Sequence, residues 1–206
     1  MNNRNSTTDK KYTNSRSRIL EAVAKSKPAA TPLPDLRFAL SDNETQPELV
    51  SSFEQFVQGV GGRVFQLEGA GAIRDYLQKE APTDGLVINR VEEIGPIDEV
   101  PESLSTLDTL QRAYIRGKIG VAENGAIWVD ETAMGKRIIP FICQELVLVI
   151  NAEDIVPTMH QAYNAIQVNG AGFGVFIAGP SKTADIEQSL VIGAHGPVAL
   201  TVLILK

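Results

Sequence analysis

The sequence predicts an α/β domain whose mostly parallel sheet carries an antiparallel β-hairpin. Three observations support that class. Strand-like and helix-like runs alternate through residues 49–88, the pattern of parallel βαβ units. Asn124-Gly125 lies between two short strand-like runs, Lys118–Ala122 and Ala126–Asp130. That dipeptide is the strongest short hairpin signal, because its turn needs positive φ. Finally, Glu145–Ile150 and Val198–Leu205 are apolar runs that read as buried strands.

The elements follow in order. Residues 1–14 are polar, rich in Ser, Thr and Asn, and have no signal-peptide apolar core, so a disordered tail is expected there. Ile19, Leu20, Val23 and Ala24 recur at helical spacing and place a helix start near Ser15 or Ser17. Pro28, Pro32 and Pro34 make Lys27–Asp35 extended, since each proline also biases its predecessor away from helix. Residues 15–45 therefore read as a helical arm of a single domain spanning 15–206. Leu49, Phe53, Phe56, Val57 and Val60 form an apolar helix face that Gly61-Gly62 stops. Arg63–Leu67 is a strand; Ala72, Ile73, Tyr76 and Leu77 mark a helix; Gly85–Ile88 is a strand. Met159, Ala162, Tyr163 and Ile166 mark the inner face of a helix, capped by Asn151 or Asp154, with His160 on its polar side. Gly174–Ala178 is a strand, and Ile186, Leu190, Val191 and Ala194 mark a last helix.

Composition excludes some function classes. The net charge is -6, against the clustered Lys and Arg that phosphate backbones demand, so no nucleic-acid partner is expected. The lone cysteine, Cys143, makes no internal disulfide and cannot supply the roughly four thiolates of an iron–sulfur cluster. No apolar run approaches the roughly 20 residues of a membrane helix, and a cytoplasmic location is expected.

The candidate chemistry concentrates in IAGPSKTADIEQSLVIGAHGP, residues 177–197. Ligands of open α/β sheets collect outside the carboxyl ends of parallel strands, and Ala178–Thr183 is expected at such an end. Gly179 turns the backbone, Pro180 fixes φ, and Ser181 or Thr183 caps the helix that follows. Helix N–H groups and Lys182 would attract a phosphate or carboxylate. Asp185 and Glu187 favour the helix N-terminus electrostatically, or bind a ligand hydroxyl or amine. The spacing is not that of a P-loop. His195, between two glycines, is the one side chain of the segment with an unperturbed pKa near neutrality. Glu123, beside the hairpin turn, is a candidate general base. A metal site from Asp185, Glu187 and His195 is disfavoured, because residues two apart do not share a helix face.

These residues resemble a known family. GPSKTADIEQSLVIGAHGP is similar to the C-terminal signature of the LUD-domain family of lactate-utilisation proteins. Gly61-Gly62-Arg63-Val64-Phe65 resembles that family's strand entry, and Ala122-Glu123-Asn124-Gly125-Ala126 its central Ala-Glu-Thr-Gly-Thr hairpin. Arg137 to Pro140 stands where the family has an Arg and a Leu-Pro. The likeness covers roughly Ser15 to Leu205. It implies a Rossmann-like fold similar to glucosamine-phosphate isomerase, ribose-phosphate isomerase and CoA transferases. It also implies an accessory role in oxidising L-lactate to pyruvate, with no cofactor on this chain and iron–sulfur clusters on two partner subunits. Glu123 and His195 stand as catalytic candidates. Asn124, Arg137, Gly179, Pro180, Ser181, Lys182, Thr183, Asp185 and Glu187 stand as substrate-binding candidates. The chain departs from the pattern at Asn124 and Ala126, where the family carries hydroxyl residues, and through Phe141–Glu145, where it often has a histidine. The alternative function is a stand-alone enzyme acting on a small phosphorylated or carboxylated metabolite, with Lys182 holding the anion.

Overall fold

A computed structural model describes residues 15–32, 44–82, 84–166, 172–183, 191–193 and 195–206. The expected tail, residues 1–14, and part of the proline-rich arm lie outside them. The chain divides into two compact units, Met1–Arg37 and Phe38–Lys206. In the first, α1 (Ser15–Lys25) has no buried residue, and Ile19, Leu20 and Val23 are each more than half exposed. Lys25 pairs with Glu21 one turn back at 2.9 Å.

The second unit runs α2 (Gln46–Gly59), β1 (Arg63–Leu67), α3 (Gly69–Lys79), β2 (Leu86–Arg90), α4 (Leu104–Leu107), β3 (Leu110–Arg116), β4 (Ile119–Val121), β5 (Ala126–Asp130), α5 (Glu131–Met134), α6 (Ile139–Ile142) and β6 (Glu145–Asn151). A 3-10 turn (Ala152–Asp154) leads to β7 (Ile155–Val156), α7 (Met159–Ala165), β8 (Gly174–Ile177), β9 (Lys182–Thr183), β10 (Val191–Ile192) and β11 (Ala199–Leu205).

Five strands form an all-parallel sheet in the order β1-β11-β6-β3-β2. Alternation within each strand feeds two faces. Leu146, Leu148 and Ile150 of β6 and Leu200, Val202 and Ile204 of β11 join one core, with Leu49, Val50, Phe53 and Val57 of α2. Val147, Val149 and Leu203 point the other way, onto Ile73 and Tyr76 of α3. The expected hairpin is β4–β5. It does not extend the parallel sheet: it belongs to a mixed four-stranded sheet, β7-β4-β5-β8, whose Ile127 and Val129 pack into the α2-side core.

Local chemistry sets the helix ends. At α2, the Glu48 carboxylate accepts from the Thr45 N–H at 2.7 Å and its hydroxyl at 2.8 Å, a capping box that holds the Glu48 pKa low. At α7 the cap is Thr158, which accepts from the Gln161 N–H, rather than Asn151 or Asp154. Those two close the 3-10 turn instead, Asn151 donating to Asp154 at 2.9 Å. Tyr163 is exposed, edge-on to Phe176, rather than on the inner face of α7; Phe56 is also exposed.

The structure adds one strand that the sequence reading did not include and changes one element that it did. The added strand, β3, lies between β6 and β2 in the parallel sheet yet carries Gln111, Arg112 and Arg116. Arg112 is buried because the Glu145 carboxylate accepts from its guanidinium and the Tyr114 hydroxyl lies 3.2 Å away. The expected last helix included Val191, but Val191 and Ile192 pair antiparallel with Thr183 and Lys182. Thr183 is therefore in a strand; the helix it was expected to cap begins outside the described residues. The rest of that expected helix, with Asp185 and Glu187, lies outside the described residues.

Candidate functional site

Strand β8 pairs antiparallel with β5, Ile127 opposite Ile177. Continued one step, that register sets the start of β5 beside the exit from β8. The hairpin turn and the Gly179–Lys182 loop thus become neighbours on the last turn of α2.

Two glycines allow the approach. Gly179 has φ +77°, and a Cβ there would lie 2.8 Å from Val60 Cγ2 and 3.2 Å from the Val60 carbonyl. Gly125 has φ +68°, and its Cβ would lie 2.9 Å from the Val57 backbone nitrogen. Side chains rarely adopt either conformation, and at Gly125 the obstacle is backbone.

Beyond Gly179, Pro180 is buried. Ser181 donates its N–H to Pro197 O at 2.9 Å and accepts from the Gly193 N–H at 3.0 Å. A Cβ on Gly196 would stand 3.4 Å from Ser181 Oγ, so the turn carrying exposed His195 closes over this serine. Lys182 is exposed, its Nζ 3.7 Å from where a Gly61 Cβ would be. Gly61 is at the C-terminal end of α2, where the helix dipole favours a cation. The structure therefore brings together Glu123–Gly125, Gly179–Lys182, Gly193 and His195–Pro197. This cluster is not at the carboxyl ends of the parallel strands. It lies against Gly61-Gly62, where β1 begins, and Pro197, just ahead of β11, because β8 belongs to the smaller sheet.

Within it, Glu123 is exposed but engaged: its Oε1 accepts from the Met159 N–H at 2.7 Å, at the start of α7. Asn124 Oδ1 accepts from the Ala126 N–H at 3.0 Å and braces the turn. Arg137 falls outside the cluster. It makes a two-pronged pair with Glu131, at 2.6 and 3.0 Å, and lies over the Phe173 ring at 5.3 Å. Glu131 donates its N–H to Phe173 O, at the opposite end of the β5–β8 ladder. The Arg137 contact holds the Glu131 carboxyl below its usual range.

A second feature escaped sequence reasoning. A cleft of about 750 Å³ opens between the N-terminal half of α2 and the carboxyl ends of β1, β6 and β11, lined by Gln66, Asn151 and Leu205 among others. The available signal was a polar residue near the exit end of a strand, after its apolar stretch: Gln66 in β1, Asn151 in β6. Among the described residues no group of three or more His, Cys, Asp or Glu is placed to hold a metal. Cys143 is buried, which pushes its thiol pKa up to about 12. These residues do not fit an iron–sulfur cluster.

Comparison with known proteins agrees with this architecture. Residues 111–205 match the LUD domain. Lactate utilization protein C of Anoxybacillus flavithermus is 38% identical over 42% of this chain and 40% of its own length. The Bacillus subtilis protein of that name is 28% identical over 61% of this chain and 53% of its own. That from Deinococcus radiodurans is 30% identical over 52% of each. The matched stretches thus span about half, or less, of these relatives. The crystal structure of a DUF162-family protein from Deinococcus radiodurans superposes with a TM-score of 0.62 at 16% identity, over 79% of this chain and 99% of that one. That likeness concerns the fold.

Proposed function

We propose that the chain, whose residues 111–205 match the LUD domain, is an accessory subunit of an iron–sulfur lactate-oxidising complex. The observation that carries this reading is the repeated match to proteins named for lactate utilization. The LUD-type unit is taken to extend upstream of the matched residues, through α2 and β1, since their side chains complete its core. Its sheet is read as akin to those of sugar-phosphate isomerases and CoA transferases.

Converting L-lactate to pyruvate removes two electrons and two protons. A single buried cysteine supports a division of labour in which partner subunits carry the iron–sulfur clusters and accept the electrons. In this reading the chain's own part is to hold a small carboxylate or phosphate group. Lys182 supplies the charge and Ser181 a hydroxyl, with Glu123 and His195 at the rim. Asp185 and Glu187 follow in the same segment, and Arg137 acts through its pair with Glu131. The exposed apolar residues of α1 supply a surface of the kind partners cover. The compartment proposed is the cytoplasm; among the described residues no helix is long and apolar enough to cross a membrane.

Affinity purification of the tagged chain from lactate-grown cells tests the partnership. Iron–sulfur subunits should co-purify, and deletion should abolish growth on lactate. Unimpaired growth together with no co-purifying partner would refute the reading.

A further inference from the structure

The cleft at the carboxyl ends of β1, β6 and β11 is separate from the cluster at the far end of α2. It opens where ligands of open α/β sheets collect, and its volume is that of a small-molecule site. Its polar lining is weighted toward acceptors, with Ser51 and Lys206 as side-chain donors beside the three amides. Gln46 uses both amide protons on the protein, donating to Ala152 O at 2.6 Å and Ile155 O at 3.0 Å. The Gln66 amide donates to Glu54 Oε1 at 2.7 Å, and the Asn151 amide to Asp154 at 2.9 Å. These bonds tie the walls together and engage each amide NH₂ group.

Oxygen acceptors remain. The second oxygen of Glu54, the amide oxygens of Gln66 and Asn151, and the Glu153 carboxylate accept no hydrogen bond among the described residues. Two carboxylates, Glu54 and Glu153, face one lysine, Lys206, whose ammonium is 4.0 Å from Glu68. Pro47, Val50, Ala152 and Leu205 supply apolar wall. An anion entering here would meet like charge and few donors. A cation that donates hydrogen bonds would pair with oxygens already in place.

We propose that this cleft binds a small organic cation, an amine with an apolar body, with Glu54 and Glu153 as counter-ions. The proposal is independent of the lactate reading, which puts an anion at the other end of α2.

The test uses two probes with the same ring and linker but opposite charge, tryptamine and indole-3-propionate. Each is titrated into the full chain and followed by backbone amide chemical shifts. Tryptammonium should shift the amides of Gln66, Ala152 and Glu153 in a saturable way. Indole-3-propionate should bind at least tenfold more weakly. E54Q and E153Q should each weaken tryptammonium several-fold, and the double substitution should abolish the preference for the cation. Equal or tighter binding of the anion by the wild-type chain would overturn the proposal. So would shifts confined to other surfaces, no shifts at all, or affinity unchanged in folded E54Q/E153Q.

Discussion

Gly125→Ala tests how the hairpin turn is seated on α2. Two penalties add. The residue has φ +68°, which costs a residue with a Cβ about 1–2 kcal/mol. The new methyl would also lie 2.9 Å from the Val57 nitrogen, 3.0 Å from Val57 Cγ2 and 3.2 Å from Phe56 Cβ. The nitrogen belongs to a helix backbone and cannot swing aside, so an overpacking cost of about 1–3 kcal/mol applies. The expected loss is about 2–5 kcal/mol. At roughly 2–4 °C per kcal/mol for a domain of this size, that lowers Tm by about 4–20 °C. Urea unfolding followed by Trp128 fluorescence reads it; this buried tryptophan is on β5, directly after the turn. In a Val57→Ala background the side-chain contact is relieved but the nitrogen and the φ penalty remain. G125A should therefore still cost more than about 1 kcal/mol there. A loss below about 0.5 kcal/mol in both backgrounds would refute the seating, since a clash of this kind normally exceeds that.

Other outcomes follow from single groups. Among the described residues the buried Tyr76 hydroxyl has no hydrogen-bond partner, and burial raises its pKa to about 12, so Y76F should leave stability unchanged or raise it by about 1 kcal/mol in urea titration. A clear loss would mean that the hydroxyl has a partner. The Cys143 thiol, neutral at pH 8 and buried, should resist a disulfide reagent in the native chain and react once unfolded in urea; fast native labelling would contradict its placement. The Glu131 pKa is depressed by Arg137, so the pair stabilises the fold above the ordinary carboxylate range and the effect is lost as pH falls through the lowered pKa. The difference in urea midpoint between the wild type and R137M should therefore be present at pH 7 and vanish in acid. A difference that persists at pH 2 would show that Arg137 acts through packing on Phe173 instead.

The sequence was most legible where one physical signal dominated. Arg63–Leu67, Gly174–Ile177 and the final strand announced themselves by apolar runs, and the hairpin by Asn124-Gly125. Strand β3 was hidden because Arg112 is buried through a partner 33 residues away, a pairing that no local pattern encodes. The antiparallel pairing of Val191 and Ile192 was masked by apolar spacing that also fits a helix. Thr158, a more conventional cap than Asn151, was overlooked because the 3-10 turn and β7 intervene before α7 begins. In the candidate site, the residue types near Gly179 and Gly125 were visible in one dimension. Their meeting on the last turn of α2 follows only from the β5–β8 register. Arg137 looked equally polar and available, yet that register puts it at the ladder's other end.

The most direct measurement is lactate-dependent dye reduction by purified iron–sulfur partner subunits, assayed alone, with this chain, and with its S181A/K182A variant. The account predicts full activity only with the wild-type chain, and a large loss with a variant that still folds and still co-purifies. Equal rates in all three mixtures would contradict it.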